Sequence, residues 1–283
     1  MTRLFVKKLT VMDFSYLHSE RGMLGESWLV DVELTGNLDH QGMVLDFGDV
    51  KKIIKRLIDE EYDHKLLVPE DYAGSVFTVM TDGRWQNRFT TLSNEYIEHC
   101  APPDAYCRIA AETINTDNVA RHIEHRLMQL LPANVSAIKL NLYPEIIDGA
   151  FYHYSHGLKQ HAGNCQRIAH GHRSRIEIND RSGRRHDIEK FWAAIWQDIY
   201  IGTRSDIRTH SQGRIVFSYQ ACQGQFDLSM PEKRCYLIDT DSTVENLAAH
   251  IARQLADRYP HDQLTVSAFE GIDKGAIATT EVS

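Results

Sequence analysis

Alternating apolar and polar positions open the chain. Leu4 to Ser15 reads as one strand, and Trp28-Leu29-Val30-Asp31-Val32-Glu33-Leu34 as a second. The period then changes. Val50, Ile53, Ile54, Leu57 and Ile58 fall on one face of a helix. A strand-rich stretch follows, then a second amphipathic helix with Val119, Ile123, Leu127 and Leu130 along its stripe, then a strand from Ala137 to Leu142. The same order repeats. Strands near Ala150 to Ser155 and at Ile176-Glu177-Ile178 precede a helix carrying Ile188, Phe191, Trp192, Ile195 and Ile199. A last helix carries Val244, Leu247, Ile251 and Leu255, and a strand runs from Leu264 to Ala268. Ser242-Thr243-Val244-Glu245 has the form of a capping box, which fixes the start of that helix.

The spacing makes this a duplication. Phe14-Ser15-Tyr16-Leu17-His18 resembles Tyr152-His153-Tyr154-Ser155-His156, 138 residues on, and Val50 stands 138 residues before Ile188. Asn118 and Asn246 are 128 apart, so the second copy has a shorter middle. Each copy reads ββ-α-ββ-α-β or close to it, and the copies meet near Pro144 to Gly149. The expected class is α+β, with halves at 1–146 and 147–283. The 283 residues suffice for two domains of about 140.

Composition narrows the function. A formal net charge of −8 argues against a dedicated nucleic-acid binder, yet leaves room for a small phosphorylated substrate held in a local basic pocket. Five cysteines without a Cys-x-x-Cys pair argue against a disulfide framework and for a reduced, cytoplasmic setting. The sequence offers no run of about 20 apolar residues to span a membrane. The first residues lack the apolar core and cleavage site of a secretory signal.

Candidate chemistry gathers in the second half. His170-Gly171-His172 leads into a strand, where positions i and i+2 share a face. Gly171 permits close backbone approach. His156 ends the preceding strand, which in an antiparallel pair lies beside them. Three imidazoles with an open fourth position describe a catalytic zinc site. Cys165, five residues before His170, is a candidate base or nucleophile near that cation.

The combined motifs resemble the 6-pyruvoyltetrahydropterin synthase and 6-carboxytetrahydropterin synthase family. They comprise an aromatic residue followed by His156, Cys165-x4-His170-Gly171-His172, Asp63-His64-Lys65 after a helix, Ser242-Thr243-Val244-Glu245-Asn246 opening another, and a late Glu270. The resemblance implies two tandem tunnelling-fold (T-fold) halves, sheets with helices on one face that assemble into a barrel. It implies Zn2+ on His156, His170 and His172, Cys165 with Asp63 and His64 as the catalytic groups, and Glu270 anchoring the pterin, assisted by Thr243 and Glu245. The Cys-to-His spacing lies between the versions associated with the family's two activities.

Each half lacks what the other keeps. By the helix match, the second half has Ile201-Gly202 where the Asp-His dyad belongs. The first half keeps His18, but has Leu24-Gly25-Glu26 in place of His-Gly-His, no cysteine before it, and Pro144 at the position of the anchoring glutamate, with Glu145 beside it. One composite site per chain, or one shared between chains, is therefore expected. The implied substrate is 7,8-dihydroneopterin triphosphate, with 6-carboxytetrahydropterin as the favoured product and 6-pyruvoyltetrahydropterin as the runner-up. Lys159, Arg167, Arg173 and Arg175 are candidates for the triphosphate. Other readings are a different enzyme of the same fold acting on another purine-like ring, or a non-catalytic pterin or zinc binder. The implied assembly is a homo-oligomer, with three two-domain chains favoured, acting on a small molecule and on neither nucleic acid nor membrane.

Overall fold

The structure is a computed structural model that describes residues 1–280. The last three residues of the expected second half lie outside the described residues. The first half begins with a long hairpin, β1 (Thr2–His18) and β2 (Gly22–Gly36), followed by α1 (Phe47–Glu61). Five short strands follow: β3 (Leu66–Pro69), β4 (Ser75–Val79), β5 (Trp85–Thr90), β6 (Tyr96–Ala101) and β7 (Tyr106–Ile109). Helix α2 (Thr116–Met128) and β8 (Val135–Pro144) close it.

The second half repeats the order. It runs β9 (Phe151–His156), β10 (His170–Asp180), the two-residue β11 (Gly183–Arg184) and α3 (His186–Trp196). Then come β12 (Ile199–Thr203), β13 (Ile207–Ser211), β14 (Arg214–Ala221), β15 (Gly224–Pro231) and β16 (Cys235–Ile238). Helix α4 (Val244–Arg258) precedes β17 (Thr265–Phe269) and β18 (Gly275–Thr279).

Three sheets result. One has the order β7-β3-β1-β2-β8 and another β16-β12-β9-β10-β17-β18, matching strand for strand apart from β18 and the β11 appendage. The third, β13-β14-β15-β6-β5-β4, draws three strands from each half, joined where β15 pairs with β6. The expected ββ-α-ββ-α-β pattern therefore omits strands, because those between the two helices leave the parent sheet and build a shared one.

Each parent sheet buries one face under its two helices. Asp46 caps α1 by accepting from the Gly48 amide, and Val50, Ile54, Leu57 and Ile58 go inward. Leu130 lies beyond the end of α2 and is exposed. Ile199 likewise belongs to β12 rather than α3, because Asp198 takes a left-handed conformation (φ 58°) that stops the helix. The third core lies between the halves, where Leu66, Phe89 and Ile97 meet Tyr200, Phe217 and Leu228.

The parent sheets also touch back to back. Ser15 Oγ and Ser155 Oγ lie 2.7 Å apart in a buried hydrogen bond. A Cβ on Gly25 would overlap the Tyr154 carbonyl oxygen, and one on Gly171 would meet the same oxygen and the Gly25 Cα. Both glycines are required by close backbone approach.

These contacts fix the correspondence between halves. Ser15 pairs with Gly25 and with Leu66; Ser155 pairs with Gly171 and with Tyr200. Tyr16, rather than His18, therefore stands at the position of His156, and Leu24-Gly25-Glu26 at that of His170-Gly171-His172. Gln197-Asp198, rather than Ile201-Gly202, corresponds to Asp63-His64, and both His64 and Asp198 are left-handed. The simple 138-residue offset misses this, because the first hairpin and the first helix each differ in length from their copies.

Candidate metal and acid–base site

Strand β9 ends on His156 and β10 begins on His170, and the ladder sets these two opposite each other. Alternation puts His172 on the same face as His170. All three side chains are buried, with ring centroids 4.4 Å (His156–His170), 5.4 Å (His156–His172) and 5.9 Å (His170–His172) apart.

One nitrogen of each ring faces an oxygen, although that of His172 makes no hydrogen bond. His156 Nδ1 lies 3.1 Å from the Ser242 carbonyl oxygen and 3.0 Å from its hydroxyl. His170 Nδ1 lies 2.9 Å from the Arg167 carbonyl oxygen, and His172 Nδ1 3.3 Å from Asp13 Oδ1. The three Nε2 atoms are buried without a hydrogen-bond partner among the described residues. A ligand nitrogen from each ring lies within 4.8 Å of the others. Burial, then neighbouring imidazoles, holds His156 and His170 well below the ordinary histidine pKa, so both offer neutral lone pairs. Leaving three such acceptors unsatisfied costs roughly 1–3 kcal/mol each. A divalent cation that favours imidazole, with acceptors orienting the outer nitrogens, answers that cost.

The first half supplies the groups beside this trio. His64 follows α1 in a left-handed conformation (φ 55°), and its amide donates to the Asp13 carbonyl at 2.7 Å. Asp63 Oδ1 accepts from the Asp13 amide at 2.8 Å, and its Oδ2 lies 2.5 Å from His64 Nδ1. The His64 ring is 5.2 Å from that of His170 and 6.3 Å from that of His172. Half-buried Cys165 completes a second grouping with His64 and His170, its ligand atoms also within 4.8 Å of one another. Burial alone would lower the His64 pKa, but the Asp63 and Cys165 hydrogen bonds outweigh it and lift the imidazole to about 10. His64 is thus committed to Asp63 and Cys165, whereas the buried trio has three unclaimed Nε2 atoms. The trio is the better metal site.

Asp13 ties the halves together. Burial opposes its ionisation, but His172, Lys274 and Ser27 hold its carboxyl well below the usual range. Lys274 Nζ donates to Asp13 Oδ2 at 3.0 Å, and the Lys274 carbonyl accepts from the Glu270 amide at 3.0 Å. Glu270 Oε1 lies 3.9 Å from His172 Nε2, partly exposed at the mouth.

Two candidates do not converge here. Thr243, not Ser242, is the N-cap of α4, and its hydroxyl accepts from the Asn246 amide at 3.4 Å. Glu245 is exposed on the first turn. Ser242 leaves the cap because its hydroxyl and carbonyl face His156, a role that the capping pattern masks. Asp13 and Lys274 also escape sequence reading. The one available signal was a carboxylate inside the apolar run Val11-Met12-Asp13-Phe14.

Among the basic candidates, Lys159 pairs with Asp206. Arg175 pairs with Glu145 and Asp273, and Arg173 reaches the Glu145 carbonyl and stacks over Phe151. All three are committed within the fold. Arg167 is not.

At the corresponding position on the other side of the molecule stand Tyr16, Leu24 and Glu26, with Asp198 in place of His64. Arg21 holds Asp198 through two hydrogen bonds of 2.6 and 2.8 Å. His153 Nδ1 donates to the Gly25 carbonyl at 2.8 Å and lies 3.9 Å from Glu26 Oε2. Ion pairs and a buried carboxylate stand where the other half has three histidines.

Comparison with known proteins identifies the architecture. A family model described as 6-pyruvoyl tetrahydropterin synthase matches residues 10–152 and again 145–281. Curated 6-carboxy-5,6,7,8-tetrahydropterin synthases of Rickettsia felis and Rickettsia conorii are each 38% identical over 48 residues, which is 17% of this chain and 35% of theirs. The chain thus spans about a third of the length of those relatives. Solved 6-pyruvoyltetrahydropterin synthases of Plasmodium vivax (TM-score 0.41, 18% identity) and Plasmodium falciparum (TM-score 0.41, 14% identity) each align over 50% of this chain and 90% of their own.

Proposed function

The chain belongs to the 6-pyruvoyl tetrahydropterin synthase family as a tandem T-fold form, and on that premise we propose that it is a zinc-dependent lyase making 6-carboxytetrahydropterin from 7,8-dihydroneopterin triphosphate. One observation carries the reading. Three buried imidazoles with unclaimed nitrogens lie against an Asp-His pair and a thiol, and one chain supplies all of them.

The residues divide the chemistry. His156, His170 and His172 would hold the zinc, which when bound would supply Lewis acidity to oxygens of the substrate side chain. Cys165 removes a proton from that side chain. His64, lifted to about 10, returns one as the general acid, with Asp63 fixing its ring. Glu270 accepts hydrogen bonds from the pterin N–H groups at the mouth. Asp13, reaching Lys274 and His172, keeps the mouth and the metal ligands in register. With water as co-reactant the three-carbon side chain is then cut: triphosphate leaves, one carbon remains as the carboxylate with its second oxygen from water, two carbons leave as acetaldehyde, and the two electrons lost by the side chain reduce the dihydropterin ring to the tetrahydro level.

The test is incubation of the zinc-loaded chain with 7,8-dihydroneopterin triphosphate, followed by mass analysis. The mass of 6-carboxytetrahydropterin with release of acetaldehyde is the expected result. The mass of 6-pyruvoyltetrahydropterin would replace the product, and unchanged substrate at full zinc occupancy would remove the reading. The proposal includes a reduced, cytoplasmic setting, in keeping with five free cysteines. It includes assembly as three chains, so sedimentation should report about three times the 32.5 kDa chain mass.

A further inference from the structure

Cys165 sits in the connection between β9 and β10, residues 157–169, whose regular structure is the single helical turn Asn164–Gln166. A connection of that length ordinarily leaves a side chain several positions to sample. The residues on either side of Cys165 are nevertheless pinned. Gln166 is fully buried. Its Oε1 accepts from the Gln223 amide at 2.6 Å, its Nε2 donates to the Gly163 carbonyl at 2.9 Å, and its own carbonyl accepts from the buried Tyr219 hydroxyl at 2.8 Å. Asn164 Oδ1 accepts from Gln223 Nε2 at 2.8 Å. Arg167, with no carboxylate partner among the described residues, donates its Nε to Gln223 Oε1 at 3.0 Å. Gln223 thus commits its amide and both polar side-chain atoms to the Cys165 turn. It does so from an exposed position in the Cys222–Gln223 turn between β14 and β15.

That hairpin belongs to the sheet shared by the halves, where β5–β6 is its counterpart. The β5–β6 turn reaches the β1–β2 turn through a backbone bond, the Leu92 amide donating to the Ser19 carbonyl at 2.8 Å. No side-chain hydrogen bond joins those two turns among the described residues. The fastening by side chains accompanies the half that carries the thiol. On its other side Cys165 meets His64, to whose ring it is hydrogen-bonded. A thiol and an imidazole pass a proton only at hydrogen-bond distance, and a displacement of about 1 Å can cost about 10²-fold in rate. Bonds on both sides of Cys165 restrict such displacements.

We infer that Gln223 and Gln166 are positioning residues that hold the Cys165 thiol against His64, so that the shared sheet aims the thiol of the site. The effect on turnover rests on the pterin-synthase reading, whereas the placement of the thiol does not.

The test uses the full zinc-loaded chain and follows the rate at which iodoacetamide alkylates Cys165, read by peptide mass so that exposed Cys222 is counted separately. His64→Ala sets the rate of the thiol without its imidazole. Gln223→Met and Gln166→Met should move the wild-type rate toward that value, and Gln223→Met added to His64→Ala should change it little further. Gln223 is exposed, so its variant keeps the test decisive if Gln166→Met folds poorly. Gln223→Glu keeps the acceptor for Arg167 and, with the Asn164 amide turned, a contact there; it should retain the wild-type rate. Gln225→Met lies on the same hairpin but loses contact with Ser218 instead, and should retain it too. In turnover the variants Gln223→Met and Gln166→Met should lose about 10–100-fold in kcat with KM close to the wild-type value. Zinc content and Tm are measured throughout. A merely structural role would lower Tm and leave the alkylation rates unmoved. Rates unmoved by His64→Ala, or by both glutamine-to-methionine variants, would overturn the inference, as would loss of zinc in Gln223→Met. A shifted alkylation rate in a chain without pterin turnover would leave the positioning standing and remove the functional reading. Turnover with kcat indifferent to both glutamines would leave the enzyme and remove the positioning.

Discussion

Replacing Glu26 by glutamine should stabilise the protein, and only above acidic pH. Glu26 is 7% exposed, and burial raises its pKa from 4.5 to about 7 despite the Ser27 amide, Arg173, Arg21 and Trp28, which favour the charged form. The raised folded-state value fixes the sign. Between pH 4.5 and about 7 the unfolded chain ionises Glu26 while the folded chain keeps it protonated, so the unfolded state gains and stability falls as pH rises. The gap between 4.5 and about 7 corresponds to about 3 kcal/mol lost by pH 8. Glutamine keeps an oxygen for the Ser27 amide at 2.9 Å and carries no charge, so the variant avoids this loss. Buried His153, 3.9 Å away and lowered to about 4, has the opposite slope at acidic pH but is present in both proteins and largely cancels from the difference. Urea melts from pH 4 to 8.5 should give curves that coincide at the acid end and separate by about 3 kcal/mol at the alkaline end. Curves that stay parallel, or a variant weaker at pH 8, would refute the assignment of a destabilising buried carboxylate. Zinc content should be unchanged, since Glu26 lies on the metal-free side.

Three further outcomes follow from the site. His64→Ala should keep its zinc and lose about 10²–10⁴-fold in kcat, read by product formation beside a metal assay; full activity would break the composite-site idea while leaving the metal site standing. Asp13→Asn removes the carboxylate facing His172 Nδ1 and should weaken zinc binding by about 10–100-fold in a chelator competition. Gly25→Ala forces a Cβ into the Tyr154 carbonyl and should cost on the order of 3 kcal/mol in denaturant melts, with zinc affinity falling because Tyr154 pairs with His172.

What the sequence made legible is what repeats locally. The strand alternation in β1 and β2, the apolar faces of α1 and α4, and the His-x-His face of β10 are each set by neighbours within one element. The parts not legible there are relations between elements. Ser242 fits a capping box, yet Thr243 caps α4, because the three-dimensional position of His156 claims Ser242. Asp13 gains its meaning from His172 and Lys274, more than 150 residues away in the chain. The Asp-His counterpart was sought at Ile201-Gly202 from helix spacing, but the ladder between β9 and β12 sets it at Gln197-Asp198. Asp198 is ionisable, so the second position holds a polar group. It carries a carboxylate, held by Arg21, at the place of His64, while Glu26 and Tyr16 stand at the places of His172 and His156. Paired charges at the places of the histidines keep the buried contact between the halves filled. On this account the side without the three histidines supports the other: its ion pairs hold the packing between the halves, across which the His64 ring lies 5.2 Å from that of His170.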